Sequence, residues 1–209
     1  NTYYWELVPA ELAWFPLGSG IGFFLAFALA SRFHGWVDKR RTAVASLVLL
    51  SFFAAAPVVG RLLGLMPSND HPTLLPILVA FSAASYCTVA ILNISVMSML
   101  ADIADQHELD TGLRKEGIFY SARTFFSKAT SALGHMVGGI AIDVIGFPAG
   151  AKPGTVDEGV LFQLGMIDGP IAAVPALIAI VFYSRYAIDR QRHAEIQQAL
   201  KDRRASAAA

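Results

Sequence analysis

The chain alternates between long apolar runs and short stretches in which charged residues concentrate. Residues 12–31, 42–60 and 72–101 contain no charged residue, and two further apolar segments, 118–146 and 163–186, contain only a few. A helix needs about 20 consecutive apolar residues to cross the hydrocarbon core of a bilayer. The pattern therefore predicts an all-α membrane protein with five transmembrane helices.

The predicted spans divide the chain into three parts. Residues 1–7 contain three aromatic side chains typical of a membrane interface and are interpreted as the outer end of a preceding helix that has been cut off. Residues 8–187 form the transmembrane bundle, and 188–209 form a cytoplasmic tail with a short surface helix at 188–200 that then frays. The spans are predicted at 11–33, 42–64, 73–100, 118–146 and 163–186.

The composition and the placement of charge refine this picture. Charged residues make up 15% of the chain, against about 25% in soluble domains, and 55% of the residues are hydrophobic. Lys and Arg cluster after spans one, three and five, whereas the opposite loops contain only Arg61 and Lys152. The positive-inside rule then places these clusters and the C-terminus in the cytoplasm, as in a multi-pass protein of the inner (cytoplasmic) membrane.

Span four contains the clearest functional candidates. At about 100° per residue, one face of this helix carries the polar side chains of Ser121, Thr124, Lys128, Ser131, His135 and Asp143. A cation this deep in hydrocarbon is costly and usually functional, so Lys128 and Thr124 are predicted to bind a substrate or to couple its transport. The alternative is a lysine that snorkels to the interface or forms a structural ion pair.

Span three has a weaker polar stripe, which includes Tyr86 and Asn93. These two side chains are predicted either to bind a sugar hydroxyl or to bond to another helix. Arg123, near the start of span four, points away from the Lys128 face. We expect it to pair with the acidic loop that follows span three.

Small residues and prolines predict how two of the helices pack. Gly18 and Gly22 are four residues apart in span one, a spacing that predicts close contact with another helix. Pro170 and Pro175 predict a kink in span five. Asp168, just before the kink, is predicted either to gate a cavity or to lie near the interface.

Charges at the predicted cytoplasmic ends of the spans suggest a latch. The acidic loop and the basic segment after span one lie on the same side of the membrane. Ion pairs between them would hold that side closed, although exposed pairs contribute little and the alternative is solvated charge. The predicted members are Asp102, Asp105, Glu108, Asp110 and Arg114 after span three, and Arg32, Lys39, Arg40 and Arg41 after span one.

The sequence contains no motif typical of an enzyme. It lacks His-Glu-x-x-His, Gly-x-Ser-x-Gly and the phosphate-binding Gly-Lys-Ser/Thr. Its single cysteine, Cys87, excludes a metal site built on two cysteines. We therefore expect no enzymatic activity, no metal site and no cofactor, and partners limited to the bilayer and a small molecule, without nucleic acid.

An ordered set of motifs carries a family resemblance. Met-x-Ala-Asp-Ile-x-Asp at 99–105 and Thr-Gly-x-Arg-x-Glu-Gly at 111–117 are followed by Tyr120, Lys128 and Ser-Ala-Leu-Gly at 131–134. Together they resemble the glycoside–pentoside–hexuronide:cation symporters, the melibiose-permease type of the major facilitator superfamily. The chain then looks like the C-terminal half of such a transporter, with its spans as helices eight to twelve.

The resemblance implies cation-coupled transport of a sugar or glycoside by alternating access, with the substrate between this bundle and a missing N-terminal bundle. The coupling cation, Na⁺ or H⁺, would be bound mainly by the missing half. Lys128 and Thr124 fall on the family's lysine and its preceding threonine. Met97 and Arg123 stand where sugar-transporting members have an aromatic and often an uncharged polar residue, which argues against a typical galactoside.

Two rival functions stay open at this point. One is a carrier of lysolipids or other amphiphiles in the same superfamily. The other is a membrane scaffold or sensor subunit that does not transport. Intramembrane carboxylates in the N-terminal half would favour a cation symporter, and their absence would favour the rivals.

Overall fold

The structure, a computed structural model, describes residues 1–208, with their side chains except those of residues 30–36 and 207–208. The predicted all-α fold is confirmed, because the regular elements of this described part are helices. In chain order they are α1 (Pro9–Leu12), α2 (Trp14–Trp36), α3 (Lys39–Leu62), α4 (Leu74–Thr111), α5 (Glu116–Val144), α6 (Glu158–Met166), a π-helical turn (Ile167–Ile171), α7 (Val174–Ser184) and α8 (Arg190–Ala208).

Helix length and hydropathy support most of the predicted spans. Among the described residues, four stretches are long and apolar enough to cross a membrane: Pro9–Leu29, Lys39–Leu62, Leu74–Thr111 and Glu158–Ser184. They correspond to predicted spans one, two, three and five. The helix α5 is also long enough at about 1.5 Å per residue, but its polar stripe lowers its hydropathy. Its assignment as span four therefore stays a prediction.

The helix α4 packs against both α2 and α3 and forms the centre of the bundle. Its contact with α2 depends on the two glycines predicted to pack closely. A Cβ atom on Gly18 would lie 2.8 Å from Val79 Cγ1, and a Cβ atom on Gly22 would collide with the carbonyl oxygen of Ala83. The prediction of close packing at this pair is confirmed.

The last spanning helix is interrupted where prolines predict a kink. The π-helical turn contains Pro170, and Pro175 lies in the first turn of α7. Proline lacks an N–H and removes one hydrogen bond from a helix, which accounts for the irregular turn. A Cβ atom on Gly169 would lie 3.2 Å from Val58 Cγ1, so the absence of a side chain lets this turn approach α3.

At the predicted outer end, residues 1–8 form turns and extended backbone that pack over the bundle. Tyr4 and Trp5 are buried there in a cluster with Leu74 and Leu78. The guanidinium carbon of Arg61 lies 5.4 and 5.2 Å from the centroids of the two aromatic rings. This segment therefore closes the outer end, and its interpretation as the end of a preceding helix stays a prediction.

At the opposite end, which we call the inner end and which is predicted to be cytoplasmic, α4 continues past the predicted limit of span three. The acidic stretch that was expected to be a loop is helical, because no Gly or Pro interrupts it. The helix ends at Gly112, whose φ of 73° suits glycine and whose N–H donates to the Glu108 carbonyl at 2.8 Å. The acidic side chains therefore project from a rigid helix.

The C-terminal helix α8 lies against the last turns of α4. Ile196 and Leu200, four residues apart on one face, are 0% and 2% exposed. The helix continues to Ala208, so the expected fraying after residue 200 is wrong. Burial of this apolar pair holds the first half of α8 against α4. In its second half, arginine side chains bond to the end of α4.

The helix α5 is poorly enclosed for its length, since none of its residues is buried. Its described contacts lie toward its N-terminal end, where the Phe119 ring is 5.4 Å from the His107 ring of α4. The rest of the helix leaves most of its polar stripe exposed. The position of this stripe makes it a candidate for contact with something outside the described chain.

Candidate functional site

A buried carboxylate joins four parts of the inner end. The Asp102 side chain on α4 is only 2% exposed, and Lys39 Nζ from the first turn of α3 donates to its two oxygens at 2.8 and 2.7 Å. Tyr186 Oη, just beyond α7, donates to Oδ2 at 2.7 Å. His193 Nδ1 on α8 lies 3.0 Å from Oδ1, but outside hydrogen-bond geometry. We call these four residues the Asp102 cluster.

The donors of this cluster balance the cost of burying a charge. A buried carboxylate destabilises a fold unless it is paired and hydrogen-bonded. Burial first, and then the hydrogen bond to Asp102, raise the pKa of the Tyr186 phenol above its ordinary value. The phenol lies outside the spanning helix Glu158–Ser184 and keeps its proton near neutral pH. It therefore acts as a permanent donor to the carboxylate.

A cavity of about 390 Å³ opens beside Asp102. Two charged groups on its wall form an ion pair, with Arg190 Nε 3.4 Å from Asp38 Oδ1. Arg190 Nη2 also donates to the Val37 carbonyl at 3.2 Å. Arg40 Nη1 donates to the Tyr186 carbonyl at 3.5 Å. These contacts connect the start of α3 to the segment before α8.

The structure contains one ion pair between the two predicted charge sets and gives the other acidic residues different partners, while their role as a latch stays a prediction. Asp102 contacts Lys39, as the two charge sets suggested. Asp105 Oδ2, however, accepts from Gln197 Nε2 at 2.6 Å, and Glu108 Oε1 lies 2.9 Å from Arg204 Nη2. Since α4 continues as a helix, it presents these two carboxylates to α8 rather than to the segment after span one.

The other predicted latch residues have separate positions. Arg114 pairs with Glu108 at 3.1 Å and also contacts Glu116, so it braces the turn between α4 and α5. Arg40 reaches the Tyr186 carbonyl, as described above. The side chain of Arg32 lies outside the described residues.

Sequence reasoning missed Tyr186, His193 and the docking of α8. One signal was available, because Ile196 and Leu200 form an apolar pair at helical spacing in an otherwise charged segment. Such a pair is expected to pack on a neighbouring surface. Nothing in the sequence alone indicated which surface it would be.

The predicted substrate residues of α5 are exposed. Thr124 Oγ1 donates to the carbonyl oxygen of Tyr120 at 2.9 Å, and its side chain faces outward. Lys128 is exposed and forms no ion pair within the described part of the chain. The lysine is therefore available to a group that this chain does not supply.

The predicted residues of α4 have neighbours on other helices. Tyr86 is 42% exposed, and its ring centroid lies 5.6 Å from that of Phe23 on α2. Asn93 Oδ1 accepts from Arg123 Nη2 at 2.8 Å. The expectation that Arg123 pairs with the acidic stretch is wrong, because those carboxylates already face α3 and α8. Asn93 instead bonds α4 to α5.

The four predicted substrate residues do not contact one another. Tyr86 and Asn93 lie on α4, whereas Thr124 and Lys128 lie on α5. The described hydrogen bond between these two helices in this region joins Asn93 to Arg123. The four residues therefore lie on exposed parts of two neighbouring helices and do not line a closed pocket.

Comparison with known proteins gives this architecture a family. The sequence model of the MFS/sugar transport protein family matches residues 1–190. An uncharacterized symporter of Synechocystis sp. is 31% identical over 109 residues, which are 51% of this chain and 20% of that protein. A putative sulfoquinovose importer of Escherichia coli is 31% identical over 127 residues, or 60% of this chain and 27% of that protein.

A third relative, a putative 2,3-dihydroxypropane-1-sulfonate exporter of Escherichia coli, is 29% identical over 130 residues, or 62% of this chain and 28% of that protein. The matched part of the chain thus spans between 20% and 28% of the length of these relatives. No solved structure matches the chain.

Proposed function

Because the chain belongs to the family of MFS/sugar transport proteins, we propose that it forms the C-terminal half of a secondary active transporter for a small polar solute. The observation that carries this proposal is the family match across residues 1–190, which includes all four stretches of the described residues that are long and apolar enough to span a membrane. The transporter works by alternating access and lies in the inner (cytoplasmic) membrane with the C-terminus of this chain in the cytoplasm.

The substrate binds between this bundle and an N-terminal bundle, near the middle of the membrane. Lys128 and Thr124 on α5, with Tyr86 and Asn93 on α4, contact the substrate or a carboxylate of the other bundle. The exposure of these side chains supports this role. Charged groups inside a membrane normally face a bundle interior or an aqueous cavity, and Lys128 has no ionic partner within the described chain.

The substrate is a sugar or glycoside, and its uptake is coupled to Na⁺ or H⁺ held mainly by the N-terminal bundle. The names of two relatives favour a second substrate class, because they specify sulfoquinovose and 2,3-dihydroxypropane-1-sulfonate. Both compounds are organosulfonates with two or more hydroxyl groups. Sugars and these organosulfonates share one feature, because each carries more than one hydroxyl group.

The inner end contains the cytoplasmic gate. The Asp102 cluster connects α3, α4 and the segment around α8, while Asp105, Glu108 and Arg114 add contacts at the end of α4. Opening toward the cytoplasm separates part of this network. Arg40, which contacts the Tyr186 carbonyl, belongs to the same gate.

Uptake by the full-length protein in lipid vesicles tests the proposal. We expect saturable uptake of at least one solute from a panel of sugars, glycosides and organosulfonates, stimulated by an inward Na⁺ or H⁺ gradient. Lys128→Ala should abolish the gradient-driven uptake, while Lys152→Ala, on an exposed loop, should leave it unchanged. Absence of saturable uptake across the panel, or full activity of Lys128→Ala, would count against it.

A further inference from the structure

Arg123 is held inside a predicted span without an acidic partner. Its Nη2 donates to Asn93 Oδ1 at 2.8 Å, and its side chain is half-buried. Within the described part of the chain, Arg123 forms no ion pair. An arginine at such a depth usually faces an ion, a substrate or another charged residue.

Three carboxylates of the acidic stretch of α4 are committed to other partners. Asp102 is bonded by Lys39 and Tyr186, and Asp105 accepts from Gln197. Glu108 pairs with Arg114 and Arg204. Each of these carboxylates would have to give up its described partner to form an ion pair with Arg123.

Asn93 fixes the direction of the guanidinium. Its Nδ2 donates to the Val89 carbonyl at 3.0 Å, which leaves Oδ1 to accept from Arg123. A guanidinium has five N–H donors in a rigid fork, and the amide of Asn93 uses one of them. The remaining donors suit the two oxygens of a carboxylate or a sulfonate.

We infer that Arg123, positioned by Asn93, is the residue that recognises the oxyanion group of a polyhydroxylated organic acid. This inference rests on the proposed transport function and assigns one chemical subsite within it. Asn93 lies seven residues and Arg123 five residues inside the predicted cytoplasmic ends of spans three and four. At 1.5 Å per residue the two side chains begin at similar depths, roughly 10 and 8 Å.

Arg123 acts separately from Lys128. The two residues are five positions apart on α5, which places them about 140° apart around the helix and roughly 8 Å apart along it. Arg123 faces α4 and sets selectivity for a negative substituent. Lys128 faces the exposed stripe and serves transport itself.

Binding to the purified full-length protein tests this assignment, with sulfoquinovose as the probe. Glucose is the neutral control, because it has a hydroxyl where sulfoquinovose has its sulfonate. Arg123→Gln should weaken sulfoquinovose binding about tenfold to a hundredfold, the range for losing a charged hydrogen-bonding partner, and should change glucose binding little. Arg123→Lys should restore part of the affinity, because it keeps the charge and loses the fork.

Two further variants separate positioning from general damage. Asn93→Ala should weaken sulfoquinovose binding less than Arg123→Gln does, because the arginine keeps its charge and loses only the acceptor that orients it. Arg185→Gln, an exposed arginine after α7, should bind both probes as the wild type does. Glucuronate provides a carboxylate arm, and tighter binding of glucuronate than of sulfoquinovose, lost in Arg123→Gln, would support an oxyanion site that prefers carboxylate.

The outcomes distinguish this inference from the proposed function. If the wild type transports a neutral sugar but binds neither sulfoquinovose nor glucuronate, the oxyanion site is wrong and the transporter stands. Equal sulfoquinovose affinity in Arg123→Gln and the wild type would also overturn it. If the wild type takes up no solute of any class, both proposals fail.

Discussion

At Asp102, a single side chain ties together segments that are far apart in the sequence. The carboxylate is buried, so each donor that reaches it offsets part of the cost of removing a charge from water. Lys39, Tyr186 and His193 approach it from three other segments of the chain. A motion that separates these segments must break hydrogen bonds to a buried charge. We therefore expect the cluster to be either fully formed or fully separated.

Replacing Lys39 by methionine in the full-length protein should therefore destabilise the inner end strongly. Removing one partner of a buried pair typically costs 3–5 kcal/mol, and we expect about 3 kcal/mol because the Lys39 side chain is 31% exposed. Denaturant unfolding in detergent measures the loss. The double variant Lys39→Met with Asp102→Asn should recover most of the lost stability, since no uncompensated charge remains. Lys201→Met, on the exposed side of α8, is the control and should cost little stability. Equal stability of the single and double variants would contradict this account.

At the residue scale, the sequence predicted a contact correctly where opposite charge at the same end of the bundle was enough to identify the partners. Asp102 and Lys39 could be grouped because both lie at predicted cytoplasmic ends. The partners of Asp105 and Glu108 could not be predicted, because they depend on α4 remaining helical and on α8 docking beside it. Arg123 was assigned the wrong partner for the same reason, since the acidic groups proved to be engaged elsewhere.

At the scale of elements, hydropathy predicted where the long apolar helices lie and predicted their limits less well. Apolar runs report where a helix enters lipid, but they carry no information about how far it continues into water. The extension of α4 to Gly112 and of α8 to Ala208 follows from local helix propensity and tertiary packing. The Gly18/Gly22 spacing, by contrast, was a direct signal of helix contact.

Gly22→Ala should weaken the packing of α2 on α4. The added methyl group would collide with the Ala83 carbonyl oxygen, which is backbone and cannot rotate away. Overpacking of this kind costs about 1–3 kcal/mol, which thermal unfolding of the full-length protein in detergent would detect as a lower Tm. Gly20→Ala is the matched control, because a Cβ atom there meets nothing within 4 Å. A Tm equal for the two variants would show that α2 and α4 adjust freely.

At the scale of the whole molecule, the described helices do not enclose a substrate site. Two spanning helices, α2 and α3, pack against α4, and the stretch Glu158–Ser184 packs against α3. The helix α5, in contrast, has no buried residue, and its polar stripe is exposed. Sequence reasoning identified this stripe because helical periodicity places its residues on one face. It could not say what covers the face, because periodicity within one helix carries no information about the neighbours of that helix.

Vesicles that contain a polypeptide of residues 1–209 alone should therefore show no saturable uptake. A site shared between two bundles needs both of them to hold the solute and to close on alternate sides of the membrane, and the matched part of this chain spans at most 28% of its relatives. The full-length protein in the same vesicles is the positive control, and circular dichroism must show that the shorter polypeptide is helical after reconstitution. Saturable uptake by the helical polypeptide would place the complete transport path within these residues. Lys128 would then need a partner among its own helices.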